Sequence, residues 1–417
     1  MSIKPMPLQP LRRSAYERWM TDAAHPASNV EPLKADVGDH RFELIFNGAE
    51  RLDRLLALIG GAIRSVDMVM YIFEHDGAGK SILDAMIGAA RRGVRVRAVI
   101  DSFGSGDISD NIFTPLRDAG GTVIFFSRRW RSSYLVRNHQ KLLLIDGEHA
   151  VTGGFNIADP YLSDRRAHCW FDLGIIVRGP TVARMMEWFE AIYDYTVHND
   201  GKLLVLRRLI REWPVDSGPV SWLVGGPTQR LSPWARAVRG DLEGARQLDM
   251  AMAYFSPGQG MLRRLGRVAR RGRARFVMAA KSDNPATIGA SRLLYGYLLR
   301  QKAAIWEYQP CRLHMKLIVI DDVVHVGTAN FDMRSLFVNV EAMLRIEDAG
   351  FARQMRDFLD RLKPDCEVMT TESHKARAGW LTRLRWTLSW FVVTVADYTV
   401  SRRLNFGLAE TDPDLED

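Results

Sequence analysis

The chain repeats itself, and this repeat constrains its fold more than any other feature of the sequence. Residues 66–73 (VDMVMYIF) resemble residues 248–255 (LDMAMAYF), and AARRGVRVRAVID (89–101) matches VARRGRARFVMAA (268–280). The matching segments follow the same order in both halves, while their offset drifts from 182 residues to 175 by the last pair. Changes of loop length between duplicated domains produce such a drift, so we expect two related domains.

Each copy alternates between strand-like and helix-like patterns. The segments rich in apolar and aromatic residues are typical of strands, and the basic segments that end in glycine are typical of helix ends. This alternation predicts the α/β fold class: two duplicated domains, each a mixed β-sheet flanked by helices, with a largely parallel core. We place the domains at residues 40–200 and 215–370, after an N-terminal extension (1–39). The proline-rich stretch Trp213–Pro233 is interpreted as their junction.

Composition narrows the class of protein. The 417 residues carry a net charge of +8, which suits an acidic partner such as anionic lipid, nucleic acid or a phosphorylated substrate, or else only a solvated surface. Cys169, Cys311 and Cys366 are scattered without CxxC spacing, which favours a reducing compartment over a disulfide framework or zinc site. The N-terminus lacks an apolar signal region and no apolar run reaches membrane-spanning length. We therefore expect neither a signal peptide nor a transmembrane helix.

The strongest chemical pattern is a motif that occurs once in each half. It is His139-x-Lys141 followed by an apolar run and Asp146, and His314-x-Lys316 followed by an apolar run and Asp321. Alternate side chains of a strand share one face, so each histidine lies beside its lysine. Burial of such a pair is costly unless an anion lies opposite. The motif therefore predicts a phosphate site with a nucleophile and a proton donor.

A second pattern follows each motif, with small residues and then an asparagine. Small residues allow the backbone to approach a ligand, and an asparagine amide can donate to phosphate oxygens. We expect these segments to complete a phosphate clamp in which the phosphate-binding residues are Gly154, Asn156, Thr328 and Asn330.

These residues resemble the signature of the phospholipase D superfamily, HxKxxxxD followed by small residues and asparagine. The resemblance spans residues 42–345, and it implies two phospholipase D-like domains that share one active site at their interface. Flanking residues look like those of bacterial cardiolipin synthases: Arg137, Asn138, Asp159, Pro160, the run Asp332–Ser335, Asn339 and Glu341. The second copy departs from the first, with five rather than six residues between Asp321 and Gly327. We expect a hairpin turn that is one residue shorter and leaves the strand register unchanged.

The resemblance also implies roles for the site residues. His139 is expected to attack phosphorus and form a phosphohistidine, while His314 serves as general acid and base. Asp172, 33 residues after His139, and Glu341, 27 residues after His314, resemble the acids that orient the family's histidines. The lysines bind phosphate, and we expect no metal and no other cofactor. Asp146 and Asp321 are counted with the catalytic groups as motif members, although their place at strand ends favours bonding to turn backbone.

Three enzymatic functions remain open. The first is a phosphatidyl transferase that forms cardiolipin from phosphatidylglycerol and a second phospholipid. The second is a hydrolytic phospholipase D that releases phosphatidic acid, and the third is a nuclease of the same superfamily. A non-enzymatic binding protein would require decayed motifs, and both motifs are complete. We expect phospholipid rather than nucleic acid as the partner, and the sequence leaves the oligomeric state open.

The segment 375–405 differs from the rest because it combines tryptophans with flanking arginines. This pattern is typical of an amphipathic helix at the membrane interface, and the alternative is a helix docked on the protein's own core. Together with the expected phospholipid substrate, it predicts peripheral attachment to an anionic membrane surface, the cytoplasmic face of a bacterial inner membrane. Residues 406–417 form an acidic tail that we expect to be solvated.

Overall fold

The structure is a computed structural model that describes residues 32–106, 108–127, 136–163, 169–228 and 231–396. Most of the predicted N-terminal extension and all of the acidic tail lie outside these residues. Strands and helices of the two halves follow one another in matching order, as the sequence repeat predicts.

The N-terminal half contains nine strands within the described residues. They are β1 (Leu33–Val37), β2 (His40–Ile45), β3 (Ser65–Met70), β4 (Arg95–Asp101), β5 (Thr122–Phe126), β6 (Lys141–Ile145), β7 (His149–Gly153), β8 (Trp170–Phe171) and β9 (Gly174–Arg178). All except β8 form one sheet, in the order β1-β2-β9-β7-β6-β3-β4-β5.

The C-terminal half contains eleven strands in the part of the chain that the structure describes. They are β10 (Val220–Gly225), β11 (Gln247–Met252), β12 (Phe255–Ser256), β13 (Arg273–Ala279), β14 (Ala304–Tyr308), β15 (Arg312–Leu313), β16 (Lys316–Ile320), β17 (Val323–Gly327), β18 (Phe331–Asp332), β19 (Glu341–Glu347) and β20 (Cys366–Met369). The second sheet has the order β10-β19-β17-β16-β11-β13-β14-β20. Its edge strand β10 lies inside the stretch interpreted as the junction.

Helices cover both faces of the sheets. They are α1 (Gly48–Gly60), α2 (Gly77–Arg91), α3 (Thr114–Asp118), α4 (Asp159–Leu162), α5 (Thr181–Asp194), α6 (Leu203–Glu212), α7 (Pro233–Asp241), α8 (Gln259–Arg271), α9 (Pro285–Arg300), α10 (Met333–Phe337), α11 (Ala349–Leu362), α12 (Thr371–Arg377) and α13 (Trp380–Trp390). No helix in the described ranges is both long and apolar enough to cross a bilayer.

The sheets are mixed, and the prediction of a largely parallel core is wrong. In the first sheet only β3–β4 and β4–β5 are parallel, and in the second only β11–β13 and β13–β14. The cause is the short hairpin after each motif, since a tight turn reverses the chain and forces antiparallel pairing of β6 with β7 and of β16 with β17. The predicted α/β class with mixed sheets and flanking helices is confirmed.

The shortened turn of the second copy is absorbed entirely by the hairpin. Three residues separate the paired Ile145 and His149, whereas two separate Ile320 and Val323. Beyond the turn the two registers coincide. The residue after each motif lysine pairs with the residue before Gly153 or Gly327: Leu142 pairs with Thr152, and Leu317 pairs with Val326. The predicted shorter turn with unchanged register is confirmed.

The two halves enclose a common core. Helices α5 and α11 lie in this central layer, where Phe42 and Phe46 of the first half contact Phe351 and Phe358 of the second at centroid distances of 5.6 and 4.1 Å. Outer layers cover the opposite faces, with α1 and α2 on the first sheet and α7, α8 and α9 on the second. Both faces of the central strands are thus buried, which explains their continuous apolar runs.

The three cysteines, scattered in sequence, are brought together in space. Cys169 and Cys311 immediately precede the paired segments β8 and β15, and their thiols hydrogen-bond to each other. Cys366 lies opposite Tyr308 in the pairing of β20 with β14. All three remain free thiols.

Candidate active site

The two motifs meet where the halves face each other. Each lysine is the first residue of its strand, Lys141 in β6 and Lys316 in β16, and each histidine lies two residues earlier. All four residues are buried, with exposed fractions of 8% or less. The two sequence motifs therefore form a single polar cluster within the apolar interior of the protein.

The imidazole of His139 contacts a carboxylate from the other half. Its Nδ1 lies 3.0 and 3.1 Å from the two carboxylate oxygens of Glu341. The Thr328 hydroxyl donates a hydrogen bond to Glu341 Oε2 at 2.6 Å and accepts one from the Ala342 amide at 3.0 Å. The carboxylate is thus fixed on its own strand while it reaches across the interface.

His314 has the reciprocal arrangement. Its Nδ1 lies 2.6 Å from Asp172 Oδ2, and the Leu173 amide donates to Asp172 Oδ1 at 2.8 Å. The buried Arg51 donates to the Asp172 carbonyl at 2.8 Å and fixes the backbone there. Both acids named from the resemblance therefore contact an imidazole, but each contacts the histidine of the opposite half.

Backbone pairing across the interface explains this exchange. The His139 amide donates to the carbonyl of Val340, the residue before Glu341, at 2.9 Å. The His314 amide donates to the carbonyl of Phe171, the residue before Asp172, at 2.8 Å. Each histidine is therefore held directly beside the acid of the other half. Sequence distance gives no indication of this pairing.

The lysines lie against the histidines. Lys141 Nζ donates to the His139 carbonyl at 2.7 Å and lies 4.9 Å from the ring centre of Tyr71. Lys316 Nζ lies 2.9 and 3.0 Å from the ring nitrogens of His314. Two ammonium groups in so small a buried volume form a strong site for an anion.

Burial and mutual repulsion shift the pKa values of the basic groups. Burial lowers the pKa of Lys141 to about 7 and that of Lys316 to about 8. Burial, reinforced by the lysines, lowers the pKa of His139 well below 6.5 and that of His314 to about 4. Both imidazoles are therefore neutral at neutral pH. A phosphate bound between the lysines would offset their repulsion and raise these pKa values.

The two carboxylates differ from each other. Burial raises the pKa of Glu341 to about 8. Burial also acts to raise the pKa of Asp172, but the charges of His314 and Lys316 and the hydrogen bond from His314 lower it below its usual value. The pseudo-symmetric site is therefore electrostatically asymmetric, with the more firmly ionised carboxylate beside His314.

Gly154 and Thr328, which were predicted to bind phosphate, lie instead beside the carboxylates that contact the histidines. A Cβ on Gly154 would lie 2.4 Å from Asp172 Oδ1 and 2.8 Å from the His314 carbonyl oxygen, so glycine here makes room for the Asp172–His314 contact. Thr328 bonds Glu341, as described above. Both residues face the supporting carboxylates because strand pairing aligns the residue after each glycine with the acid-bearing segment.

The asparagines differ in their hydrogen bonds. Asn156 Oδ1 accepts from the Ile72 amide at 3.3 Å, and the Asn156 side chain also hydrogen-bonds to the Tyr161 hydroxyl. Asn330 is buried, and its Oδ1 has no hydrogen-bond partner among the described residues. The unused atom of Asn330 is an acceptor, whereas contact with phosphate oxygens requires the donor nitrogen of the amide.

The motif aspartates lie outside the site, which corrects their inclusion with the catalytic groups. Asp146 follows the far end of β6, about 16 Å along the strand from Lys141. Its carboxylate accepts backbone N–H bonds from residues 63–65, including 2.7 Å from Arg64 and 2.8 Å from Ser65. Asp321 bonds the Arg246 and Gln247 amides in the same way. The aspartates anchor the hairpin turns to the start of the neighbouring strand.

Aromatic residues that the motifs did not reveal surround the histidines. Tyr161, Trp170 and Tyr254 lie 5.2, 5.0 and 6.1 Å from the His314 ring. Tyr71 lies 4.6 Å from the His139 ring, and Arg137 interacts with its hydroxyl. Nothing in the sequence indicated that these aromatic residues belong to the site, except that Trp170 is two residues from Asp172. No group of His, Cys, Asp or Glu side chains in the described ranges forms a metal-binding cluster.

The chain is similar to known proteins over most of its length. The chain matches the profile of a family described as "Cardiolipin synthase, PLD-like domain" over residues 55–193 and 242–363, each of which contains one motif. It is 30% identical over 352 residues to cardiolipin synthase 2 of Bacillus anthracis, covering 82% of this chain and 66% of that protein. It is 28% identical over 361 residues to cardiolipin synthase B of Shigella flexneri, covering 82% and 85%. The chain thus spans slightly less than two thirds of the Bacillus relative.

The solved structures support the fold. The crystal structure of phosphatidylserine synthase from Haemophilus influenzae superposes with a TM-score of 0.70 at 15% identity, covering 90% of this chain and 98% of that one. With both motifs inside the matched segments and both sheets in place, the chain belongs to the cardiolipin synthase family of phospholipase D-like domains.

Proposed function

We propose that the protein is a phosphatidyl transferase that forms cardiolipin from phosphatidylglycerol and a second phospholipid. The observation that carries this proposal is the pair of histidines, each bonded to a carboxylate of the opposite half and each beside a buried lysine. Phosphoryl transfer depends mainly on positioning and charge stabilisation, and the cluster provides both. The names of the related cardiolipin synthases point in the same direction.

The proposed first step is attack of His139 on phosphorus. Its Nδ1 is occupied by Glu341, so Nε2 is the nitrogen that faces a substrate. The depressed pKa keeps this imidazole neutral, as a nucleophile must be. The N–P bond forms as the bond from phosphorus to the donor's alcohol oxygen breaks, and the alcohol takes a proton from His314. The result is a phosphohistidine.

In the second step the acceptor hydroxyl attacks the phosphohistidine. His314 removes its proton, the new P–O bond forms and His139 is released. His314 suits this role because the ionised Asp172 stabilises the imidazolium form. When the acceptor is phosphatidylglycerol the product is cardiolipin, and when it is water the product is phosphatidic acid. Lys141, Lys316, Asn156 and Asn330 would hold the phosphate.

Product analysis separates the candidate activities. Purified protein is incubated with phosphatidylglycerol vesicles, and the lipids are identified by mass spectrometry. Cardiolipin is expected, and phosphatidic acid alone would establish the hydrolase instead. Absence of both, with cleavage of a DNA oligonucleotide, would establish the nuclease. The His139→Ala protein is the control for contaminating activity.

The proposed location is the surface of an anionic membrane, at the cytoplasmic face of the bacterial inner membrane. Over its described part, segment 375–405 has features of both interpretations, a helix docked on the protein and a helix at the membrane interface. Helix α13 is docked on the protein through Trp386, which is 5% exposed, yet it leaves large apolar side chains in solvent. A water-exposed apolar helix face is what attachment to a bilayer interface requires.

A further inference from the structure

The exposed apolar residues of α13 and the turn that follows it lie on one side of the helix. At 100° per residue they occupy an arc of about 120°, and Trp386 lies on the opposite side, against α9. A Cβ on Gly289 of α9 would lie 2.7 Å from Ser389 and 3.5 Å from Trp386, which shows how closely the helices pack. The stripe faces away from the molecule, and its members are Trp380, Leu381, Leu384, Leu388, Phe391 and Val392, each 51–75% exposed.

A basic groove lies on the other flank of α9. Four arginines of α8 line it together with Tyr297 of α9, and it encloses about 390 Å³. Their spacing along α8 places them on one side of the helix, while Met261, Leu265 and Val268 are buried against the sheet. None of the four forms an ion pair with a carboxylate of the described chain. The groove arginines are Arg263, Arg264, Arg267 and Arg270.

Helix α9 joins these two features into one surface. Its C-terminal half contacts α8, where a Cβ on Gly266 would lie 2.7 Å from the Tyr297 hydroxyl, and its N-terminal half contacts α13. The apolar stripe and the basic groove therefore lie on two helices that both pack against α9. Stable attachment to a bilayer takes two contributions, and an apolar insertion beside a basic cluster supplies them.

We propose that α8 and α13 form one membrane-docking face, in which the α8 groove binds the phosphates of anionic phospholipid headgroups and the α13 stripe inserts among the acyl chains. The proposal rests on the proposed function in taking phospholipid as the ligand class. A nucleic acid backbone would satisfy the arginines but would leave the apolar stripe exposed to water. A bilayer surface satisfies both.

Helix α9, which contacts both α8 and α13, also contacts the segment that carries Tyr254 beside the active site. Tyr254, whose ring is 6.1 Å from that of His314, donates a hydrogen bond to Asp283 at 2.7 Å, and α9 begins two residues later. Ser291 of α9 bonds the Phe255 carbonyl at 2.9 Å. Docking through α8 and α13 would therefore bring the His314 side of the site to the bilayer, where a lipid substrate needs to move only a short distance.

Vesicle flotation of the full-length protein tests the proposal. The groove variant replaces all four arginines by glutamine, and the stripe variant is Leu384→Gln with Leu388→Gln. The matched control is Arg208→Gln with Arg211→Gln on α6, whose arginines are 74% and 69% exposed. Phosphatidylcholine vesicles with and without phosphatidylglycerol are compared at low and high salt.

Each arginine near an anionic surface contributes about fivefold to affinity, so the groove variant should lose on the order of 10²–10³-fold on anionic vesicles, together with its salt dependence. The stripe variant should bind weakly to both kinds of vesicle and keep its salt dependence. The control should bind like the unmodified protein. Unchanged binding of either docking variant, or tighter binding of the unmodified protein to a DNA oligonucleotide than to anionic vesicles, would overturn the docking face.

Turnover measurements keep this proposal separate from the proposed function. With a dispersed short-chain phosphatidylglycerol, both docking variants should retain the turnover of the unmodified protein, because their residues lie outside the catalytic cluster. On vesicles they should lose turnover in proportion to binding. If the unmodified protein binds vesicles through this face but turns over neither substrate, the proposed function fails and the docking face stands.

Discussion

Glu341 of the C-terminal half lies 3.0 Å from Nδ1 of His139 in the N-terminal half. Asp172 and His314 make the reciprocal contact at 2.6 Å. Neither half therefore contains a complete histidine–carboxylate pair, and the two halves must be correctly joined before either imidazole is oriented. The interface between the two halves is therefore itself the site.

Replacement of the supporting acids should reduce turnover without unfolding the protein. Asp172→Asn keeps the shape but removes the charge, and Glu341→Gln replaces one of the two oxygens beside His139 Nδ1 by an NH2 group. We expect the kcat of either variant to fall on the order of 10²–10⁴-fold. Steady-state kinetics with circular dichroism as a folding check measures this. The control is Glu347→Gln, on the same strand as Glu341 but with a side chain that is 57% exposed, and it should leave kcat unchanged. Near-normal kcat in both acid variants would contradict the orienting role.

The two histidines should respond differently to the leaving group. A phosphatidyl ester of p-nitrophenol needs no proton on its leaving group, so it should restore phosphoryl-enzyme formation in His314→Ala but not in His139→Ala. Mass spectrometry of peptides from quenched protein locates the phosphoryl group. A label on His314, or rescue of His139→Ala instead, would reverse the assigned roles.

The motif aspartates should affect stability more than chemistry. Asp146→Ala removes an acceptor for three backbone amides, so the free energy of unfolding should fall by about 1–3 kcal/mol. Its kcat at a temperature where the variant is folded should match that of the unmodified protein. Urea unfolding and kinetics on one preparation check both quantities. A large loss of kcat at unchanged stability would return Asp146 to the catalytic set.

The contribution of His314 to stability should be lost as the pH is lowered below 6.5. Burial lowers the folded-state pKa of His314 to about 4, so between pH 6.5 and about 4 the unfolded chain binds a proton there that the folded chain does not. The free energy of unfolding then decreases with falling pH, by up to about 3 kcal/mol from this group. Urea unfolding between pH 4.5 and 7 measures the slope. His314→Gln should show a shallower slope, and an equal slope would contradict the shift.

The sequence was sufficient for much of this structure because its signals are local or repeated. Strand and helix patterns recur in both halves, so each copy supports the interpretation of the other, and the HxK spacing places His139 beside Lys141 in any strand. The shorter hairpin turn before Gly327 could also be predicted from the sequence, since a hairpin can lose one residue without changing the strand register on either side. The parallel or antiparallel pairing of neighbouring strands was harder to predict, because apolar runs look alike in both kinds of strand.

By itself, the sequence determined the duplicated fold, the two histidines and lysines, and the acids beside them. Only the tertiary structure decided that Glu341 contacts His139 and Asp172 contacts His314, and that Gly154 and Thr328 face those acids. The physical reason is that these relations depend on backbone pairing between segments about 140 to 200 residues apart. Such pairing leaves no periodicity in the chain, and it exists only once both cores have closed around it.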